Sequence, residues 1–91
     1  MPLRWTRAAH ADLIRIHEFL ASVDEPAAAR AVQAVVARVR RIPQQPRLGE
    51  QLTGFDDREV RRVLARGYEI RYEVVASDLY VLRIFHTRED R

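Results

Sequence analysis

The sequence of 91 residues contains no cysteine and no lysine, because all 16 of its basic residues are arginine. The lack of cysteine excludes disulfide bonds and zinc sites built from thiolates. The lack of lysine excludes a lysine nucleophile, Schiff base or general base. No apolar run approaches the ~18 residues that a membrane helix needs, and residues 1–5 lack the apolar segment of a signal peptide. We therefore expect a cytoplasmic protein with no membrane association, no metal and no cofactor.

The composition is typical of a globular protein, with 47% hydrophobic and 32% charged residues and a formal net charge of +3. A chain of this length is expected to be one domain, residues 1–91, with a small core, because it buries only ~60–65% of its unfolded surface. Arginine suits bidentate binding of phosphate or carboxylate. A GC-rich genome also favours arginine codons, so composition alone leaves nucleic-acid binding open.

Two amphipathic helices are predicted in the first half of the chain. Thr6 is a suitable N-cap for the first helix, from residue 7 to about 22, and Pro26 fits the start of a second, which ends at Pro43. The apolar positions of the first helix recur at helical spacing: Ala9, Leu13, Ile16 and Leu20, widened by Phe19 and Val23. Those of the second are Ala28, Val32, Val35, Val39 and Ile42. The short break between the helices predicts an antiparallel hairpin.

Alternating segments predict strands at residues 60–65, 68–74 and 79–86, after a loop at 43–54, and residues 3–5 predict a short strand at a sheet edge. In the second of these segments, one face carries Tyr68, Ile70, Tyr72 and Val74. In the last, Tyr80, Leu82, Ile84 and His86 are predicted to lie opposite Val81, Arg83 and Phe85. The resulting fold class is α+β: a short N-terminal strand, a helical hairpin, and a three-stranded antiparallel meander. The helices pack on one sheet face, and the other is open.

The order of these elements, together with four short motifs, resembles the ParE/RelE superfamily of bacterial toxins over the whole chain. The motifs are Ala9-x-x-Asp12-Leu13, the proline-rich exit of the second helix, Tyr68-x-Ile70-x-Tyr72, and the segment LRIFHTR at residues 82–88. The resemblance implies a RelE/ParE-like fold and the toxin component of a type II toxin–antitoxin system. It also implies growth arrest, a role in plasmid stabilisation, and a hetero-oligomer with a cognate antitoxin.

Two modes of action occur in this superfamily, and the sequence can be compared with each. RelE-like members are ribosome-dependent endoribonucleases that cut messenger RNA, whereas ParE-like members poison DNA gyrase without catalysis. Arg62 and Arg88 match nuclease positions and His86 could serve as acid or base, so a nuclease would use these three residues. Leu64 and Glu69 stand where nucleases often carry basic residues. The match favours a non-enzymatic, ParE-like gyrase inhibitor; the alternatives are the ribonuclease and an inactive homologue that survives as a binding module.

The candidate binding residues follow from strand parity and from the resemblance. For the target we predict Arg71, Arg83 and Arg88, with Arg83 pointing away from the helices. His86 is interpreted as a strand-end residue packed under the helices and hydrogen-bonded to backbone. The antitoxin is expected to contact apolar residues of the hairpin and the last strand: Leu13, Ile16, Leu20, Val32, Val35, Val39 and Phe85.

Overall fold

The computed structural model describes residues 1–88, which form two helices and a five-stranded sheet. The elements in chain order are β1 (Leu3–Trp5), α1 (Arg7–Ala21), α2 (Glu25–Arg41), a 3₁₀ turn (Ile42–Gln44), β2 (Glu50–Gln51), β3 (Glu59–Ala65), β4 (Tyr68–Val75) and β5 (Asp78–His86). The sheet order is β1-β5-β4-β3-β2. Only the β1–β5 pairing is parallel among the described strands. The predicted α+β fold is confirmed, and β1 does lie at a sheet edge.

The two helices begin where side chains can accept hydrogen bonds from their first turns. Thr6 accepts from the Ala9 backbone N–H at 3.1 Å, which confirms the predicted N-cap of α1. Asp24 accepts from the Ala27 N–H at 3.1 Å, so α2 begins at Glu25, one residue before Pro26. An N-cap of either type satisfies a backbone donor that the helix itself leaves without a partner.

The core lies between the helical hairpin and one face of the sheet. The helices contribute Ala9, Ile16, Ala31, Val35, Val39 and nearby Ile42; the sheet contributes Val63, Tyr68, Ile70, Tyr72, Val74, Leu79, Val81 and Ile84. Phe19 and Val23, predicted to widen the apolar stripe of α1, are instead 72% and 83% exposed. Phe19 lies at the margin of the stripe, and Val23 lies beyond α1 and its C-cap Ser22. The stripe that reaches the sheet is narrower than the hydrophobic pattern suggests.

A β-bulge in β5 changes which residues of that strand face the helices. Arg71 pairs with Arg83, but its neighbour Tyr72 pairs with Val81, which leaves Leu82 as an extra residue. One extra residue reverses the alternation of side chains. Val81 is therefore fully buried in the core, and the prediction that it shares a face with Arg83 and Phe85 was wrong.

The predicted loop at 43–54 contains β2, which the sequence pattern did not reveal because the strand has two residues. Two side chains of the sheet hold the loop in place. The Tyr72 hydroxyl donates to the Pro46 carbonyl at 2.7 Å, and Arg61 Nη1 donates to the Gly49 carbonyl at 2.7 Å. Burial raises the pKa of Tyr72, so this hydroxyl stays protonated as a donor. Gly49 has no room for a side chain, since a Cβ there would lie 2.5 Å from the Tyr72 hydroxyl.

Candidate functional site

The edge of β5 that does not pair with β4 is covered by β1, by Thr6 and by the first half of α1. β1 pairs with β5 at positions 79–81, and Thr6 then takes over by donating its backbone N–H to the Val81 carbonyl at 3.1 Å. Further along α1, the Asp12 carboxylate accepts the Ile84 N–H at 2.8 Å. A side chain thus satisfies a backbone donor that a longer edge strand would otherwise pair.

Asp12 is 4% exposed and also binds the guanidinium of Arg83. Arg83 donates from Nε to Oδ2 at 2.8 Å and from Nη2 to Oδ1 at 3.2 Å. Burial alone would raise the pKa of Asp12, but the hydrogen bonds from Arg83 and the Ile84 N–H outweigh it and lower that pKa. Arg83 lies on the sheet face away from the helices, as strand parity predicts, but its guanidinium also binds Asp12 of α1. A buried carboxylate requires a partner charge, and the arginine side chain reaches around the sheet edge to α1.

The sheet face opposite the helices carries what we name the open-face cluster: Glu50, Arg62, Glu69, Arg71, Arg83 and Phe85. Glu69 is 1% exposed. Its Oε1 accepts from Arg62 Nη1 at 3.1 Å, and its Oε2 accepts from Arg71 Nε at 2.7 Å. Arg62 also donates to Glu50 at 2.8 Å. The arginine side chains of this face therefore bind carboxylates of the chain itself.

A groove of about 430 Å³ opens between α1 and the end of β5, and we name it the α1–β5 groove. It is lined by Arg15, Ile16, Phe19, Leu20, Tyr68, His86 and Arg88. The rings of Tyr68 and His86 meet edge to face, 5.3 Å between centroids. His86 Nδ1 accepts the Arg88 N–H at 3.1 Å, which confirms the predicted bond to backbone. His86 is half-buried at the groove wall rather than covered by the helices.

The groove combines an apolar lining with two guanidinium groups, from Arg15 and Arg88. This lining suits a protein segment that presents an apolar side chain next to a carboxylate. Residues 1–88 contain no cluster of three or more His, Cys, Asp or Glu residues able to hold a metal ion. Neither described helix is long and apolar enough to cross a membrane.

Of the three residues of the nuclease alternative, His86 and Arg88 lie together at the α1–β5 groove, and Arg62 does not join them. Arg62 of β3 lies directly opposite Arg71 of β4 on the open face of the sheet. His86 lies opposite Tyr68 on the face that carries the helices. Arg88 follows β5 at the α1–β5 groove. Of the residues predicted to bind the target, Arg71 and Arg83 belong to the open-face cluster, and Arg88 is separate from it.

The residues predicted to bind an antitoxin divide into two groups. Ile16, Val35 and Val39 are 4%, 0% and 1% exposed, so they belong mainly to the core, although Ile16 also lines the α1–β5 groove, and their role as antitoxin contacts stays a prediction. The periodicity that marked them is that of the core-facing stripe. The others, Leu13, Leu20, Val32 and Phe85, are half-buried.

Two exposed apolar residues of α1 were missed as binding candidates. Ile14 is 45% exposed and lines a second hollow, of about 230 Å³, with Leu13, His17, Glu18 and Val32. We name it the interhelical hollow. Phe19 forms the outer wall of the α1–β5 groove. Their positions at the flanks of the apolar stripe, rather than at its centre, were the available signal.

Comparison with known proteins agrees with this architecture. The family described as the ParE toxin of the type II toxin–antitoxin system parDE matches residues 3–91. A solved structure described as the chromosomal ParDE TA system from P. aeruginosa is similar, with 28% sequence identity and a TM-score of 0.79. That similarity covers 94% of this chain and 95% of the other. No curated protein matches. The chain belongs to the ParE toxin family of type II toxin–antitoxin systems.

Proposed function

We propose that this ParE-family toxin acts by binding a protein target, DNA gyrase, without catalysing a reaction. The observation that supports the proposal most is the separation of Arg62 and His86 on opposite faces of the sheet. Cleavage of RNA through its 2′-hydroxyl needs a base, an acid and cations around a single phosphate. The described residues of the nuclease set cannot surround one phosphate in this way.

Arg88 is the proposed target contact that keeps its side chain at the surface. It is exposed, and it stands at the mouth of the α1–β5 groove. A charge-assisted hydrogen bond from such a guanidinium contributes about 1.5–3 kcal/mol. Arg71 and Arg83 also remain proposed contacts, but each already binds a carboxylate of the chain itself.

A cognate antitoxin is the second proposed partner, in a cytoplasmic hetero-oligomer. The α1–β5 groove and the interhelical hollow both lie along α1, and both leave apolar side chains exposed. A segment that folds on binding could cover the two together. We propose that Leu13, Leu20 and Val32 contribute to this surface, with Phe19 and Ile14 at its exposed positions, and that Phe85 contributes from the sheet.

Expression of the toxin alone tests the proposed target. We expect growth arrest, filamentation and DNA-damage signalling, and inhibition of supercoiling by purified gyrase. Messenger RNA cut within codons on purified ribosomes would instead establish the ribonuclease. A folded protein with neither effect would be the inactive binding module.

The contribution of Arg88 can be measured in the same gyrase assay. Arg88→Ala should weaken inhibition roughly ten- to a hundredfold, as expected for one lost charge-assisted contact. Arg30→Ala is the matched control, because it also removes one exposed arginine, from α2. Equal inhibition by the two variants would show that Arg88 makes no specific target contact.

A further inference from the structure

A buried carboxylate lies on the sheet face that no helix covers. Glu69 is 1% exposed and stands between Leu64 of β3 and Phe85 of β5. Removing an ionised carboxylate from water is costly unless cations and hydrogen bonds replace the water. Glu69 is therefore held at this position by the arginines that surround it.

Two guanidiniums converge on this carboxylate from directly opposite positions of neighbouring strands. Arg62 and Arg71 are cross-strand partners, and like charges placed in this way repel. Each binds a different oxygen of Glu69, at 3.1 Å for Arg62 Nη1 and 2.7 Å for Arg71 Nε. Two guanidiniums around one anion with two oxygens are also the donor arrangement that binds a phosphate.

The ring of Phe85, on the same sheet face, is covered by two arginine side chains. The guanidinium carbons of Arg71 and Arg83 lie 5.2 Å and 5.0 Å from the centre of the Phe85 ring. These distances are in the range of cation–π contact. A nucleotide base that stacked on Phe85 would have to displace at least one of these arginines.

We propose that Glu69 is a specificity-determining residue that occupies a phosphate site on its own sheet face. By binding Arg62 and Arg71, it excludes the phosphate backbone of single-stranded nucleic acid from this face of a cationic protein. The apolar surface along α1, which suits a protein partner, is not affected by these ion pairs. This inference does not depend on gyrase being the target.

Binding of a fluorescein-labelled single-stranded RNA to the full chain, measured by anisotropy over a range of salt concentrations, tests the proposal. Glu69→Gln should bind RNA roughly ten- to a hundredfold more tightly than the wild type, because Arg71 loses its carboxylate partner and Arg62 keeps only the exposed Glu50, which a phosphate can replace. The affinity of Glu69→Gln for RNA should also fall more steeply as salt is added. The slope of log affinity against log salt concentration should be larger in magnitude by roughly 1.4, about 0.7 for each of two phosphates.

Glu73→Gln is the matched control. Glu73 lies on the same face, binds Arg58 at 2.9 Å, and changes the net charge by the same amount when it is replaced. We expect at most a roughly twofold gain in affinity from this variant, since its arginine lies away from the cluster. Equal gains from both variants would mean that net charge alone controls binding, and would overturn the proposal.

A second measurement does not require Glu69→Gln to fold. Arg62→Gln, Arg71→Gln and Arg66→Gln each remove one positive charge, and Arg66 is exposed in the turn between β3 and β4. If Glu69 already occupies Arg62 and Arg71, their replacement should weaken residual RNA binding no more than replacement of Arg66. A much larger loss from Arg62→Gln or Arg71→Gln would show that the site is open to phosphate in the wild type. Failure of the gyrase assay would leave either RNA result unchanged.

Discussion

Asp12 is the residue through which α1 is joined to the last strand. It accepts hydrogen bonds from the Ile84 backbone N–H and from the Arg83 guanidinium, and Arg15 lies at 3.5 Å on the same carboxylate. One side chain therefore completes the edge of β5 and neutralises an arginine of the same strand. Its function is structural, although it stands in a motif that also marks the family.

Because Arg83 binds Asp12, we expect its side chain to stabilise the fold. Arg83→Ala should lower the free energy of unfolding by about 1–2 kcal/mol, a value reduced because the side chain of Arg83 is 47% exposed. For a chain of this size that corresponds to a loss of roughly 4–16 °C in Tm. Arg30→Ala, at an exposed position of α2, should stay within about 0.5 kcal/mol. Equal melting temperatures for the two variants would show that the ion pair contributes nothing.

The lowered pKa of Asp12 predicts a loss of stability in acid. A carboxyl group whose pKa is lower in the folded than in the unfolded chain stabilises the fold above the unfolded pKa, about 3.9 for Asp. This contribution is lost as the pH falls through the folded value. Glu59 and Glu73 also have lowered pKa values, through Arg61 and Arg58, and act in the same direction.

Comparison with Asp12→Asn isolates the contribution of Asp12. The wild type should be the more stable protein at pH 7, and the difference in free energy of unfolding should shrink as the pH falls from about 5 towards 2. Chemical denaturation at each pH measures this difference. A constant difference across the range would mean that the ionisation of Asp12 is not coupled to folding.

At the scale of elements, the loop between α2 and β3 is positioned by the sheet rather than by its own sequence. Tyr72 and Arg61 bind its carbonyl groups, and Gly49 passes close to both Tyr72 and the Arg62 carbonyl. Its two-residue strand, β2, then adds to the edge of β3. The close approach at Gly49 is what allows this pairing.

Gly49→Ala should therefore destabilise the protein. The new Cβ would lie 2.5 Å from the Tyr72 hydroxyl and 2.7 Å from the Arg62 carbonyl, so the loop must shift and lose hydrogen bonds. Overpacking of this kind costs about 1–3 kcal/mol. Leu48→Ala, at the adjacent exposed position, is the control and should cost less than about 0.5 kcal/mol. Thermal unfolding of both variants measures the difference; a Gly49→Ala protein as stable as the control would mean that the loop is not held in this position.

For the whole molecule, α1 presents exposed apolar residues beside two hollows, while the arginines of the open-face cluster bind carboxylates of the chain itself. Phe19 is 72% exposed beside the α1–β5 groove, and Ile14 is 45% exposed beside the interhelical hollow. Exposed apolar surface flanked by polar residues is typical of a protein-binding site.

Phe19→Asp should weaken antitoxin binding without lowering stability. The variant removes an apolar contact and places a carboxylate in the groove, where an acidic partner segment would be repelled; we expect at least a tenfold loss of affinity, or about 1.4 kcal/mol. Leu48→Asp is the control, since Leu48 is 66% exposed and lines a different hollow, beside β2. Titration calorimetry with the purified antitoxin measures both. Equal affinities for the two variants would place the antitoxin away from the α1–β5 groove.

The sequence by itself determined the two helices, the order of the elements and every described strand except β2. Helical spacing, the N-cap at Thr6 and strand alternation in β4 depend on residues close together in the chain, so they could be predicted locally. Motifs in α1, β4 and the last strand were sufficient to indicate the family. The exposed residues of the groove were less visible, because Phe19 is apolar and follows the same period as the core residues.

Only the tertiary structure decided how the charged residues are used. Arg83 and Asp12 are 71 residues apart in the chain, and the bulge at Leu82 depends on how β5 aligns with β4. Glu69 is buried because arginines from β3 and β4 meet over it. Strand parity gives the face of a side chain in a regular strand, but a bulge reverses that parity and a long arginine can pass around a sheet edge. These contacts exist only between elements that the fold brings together.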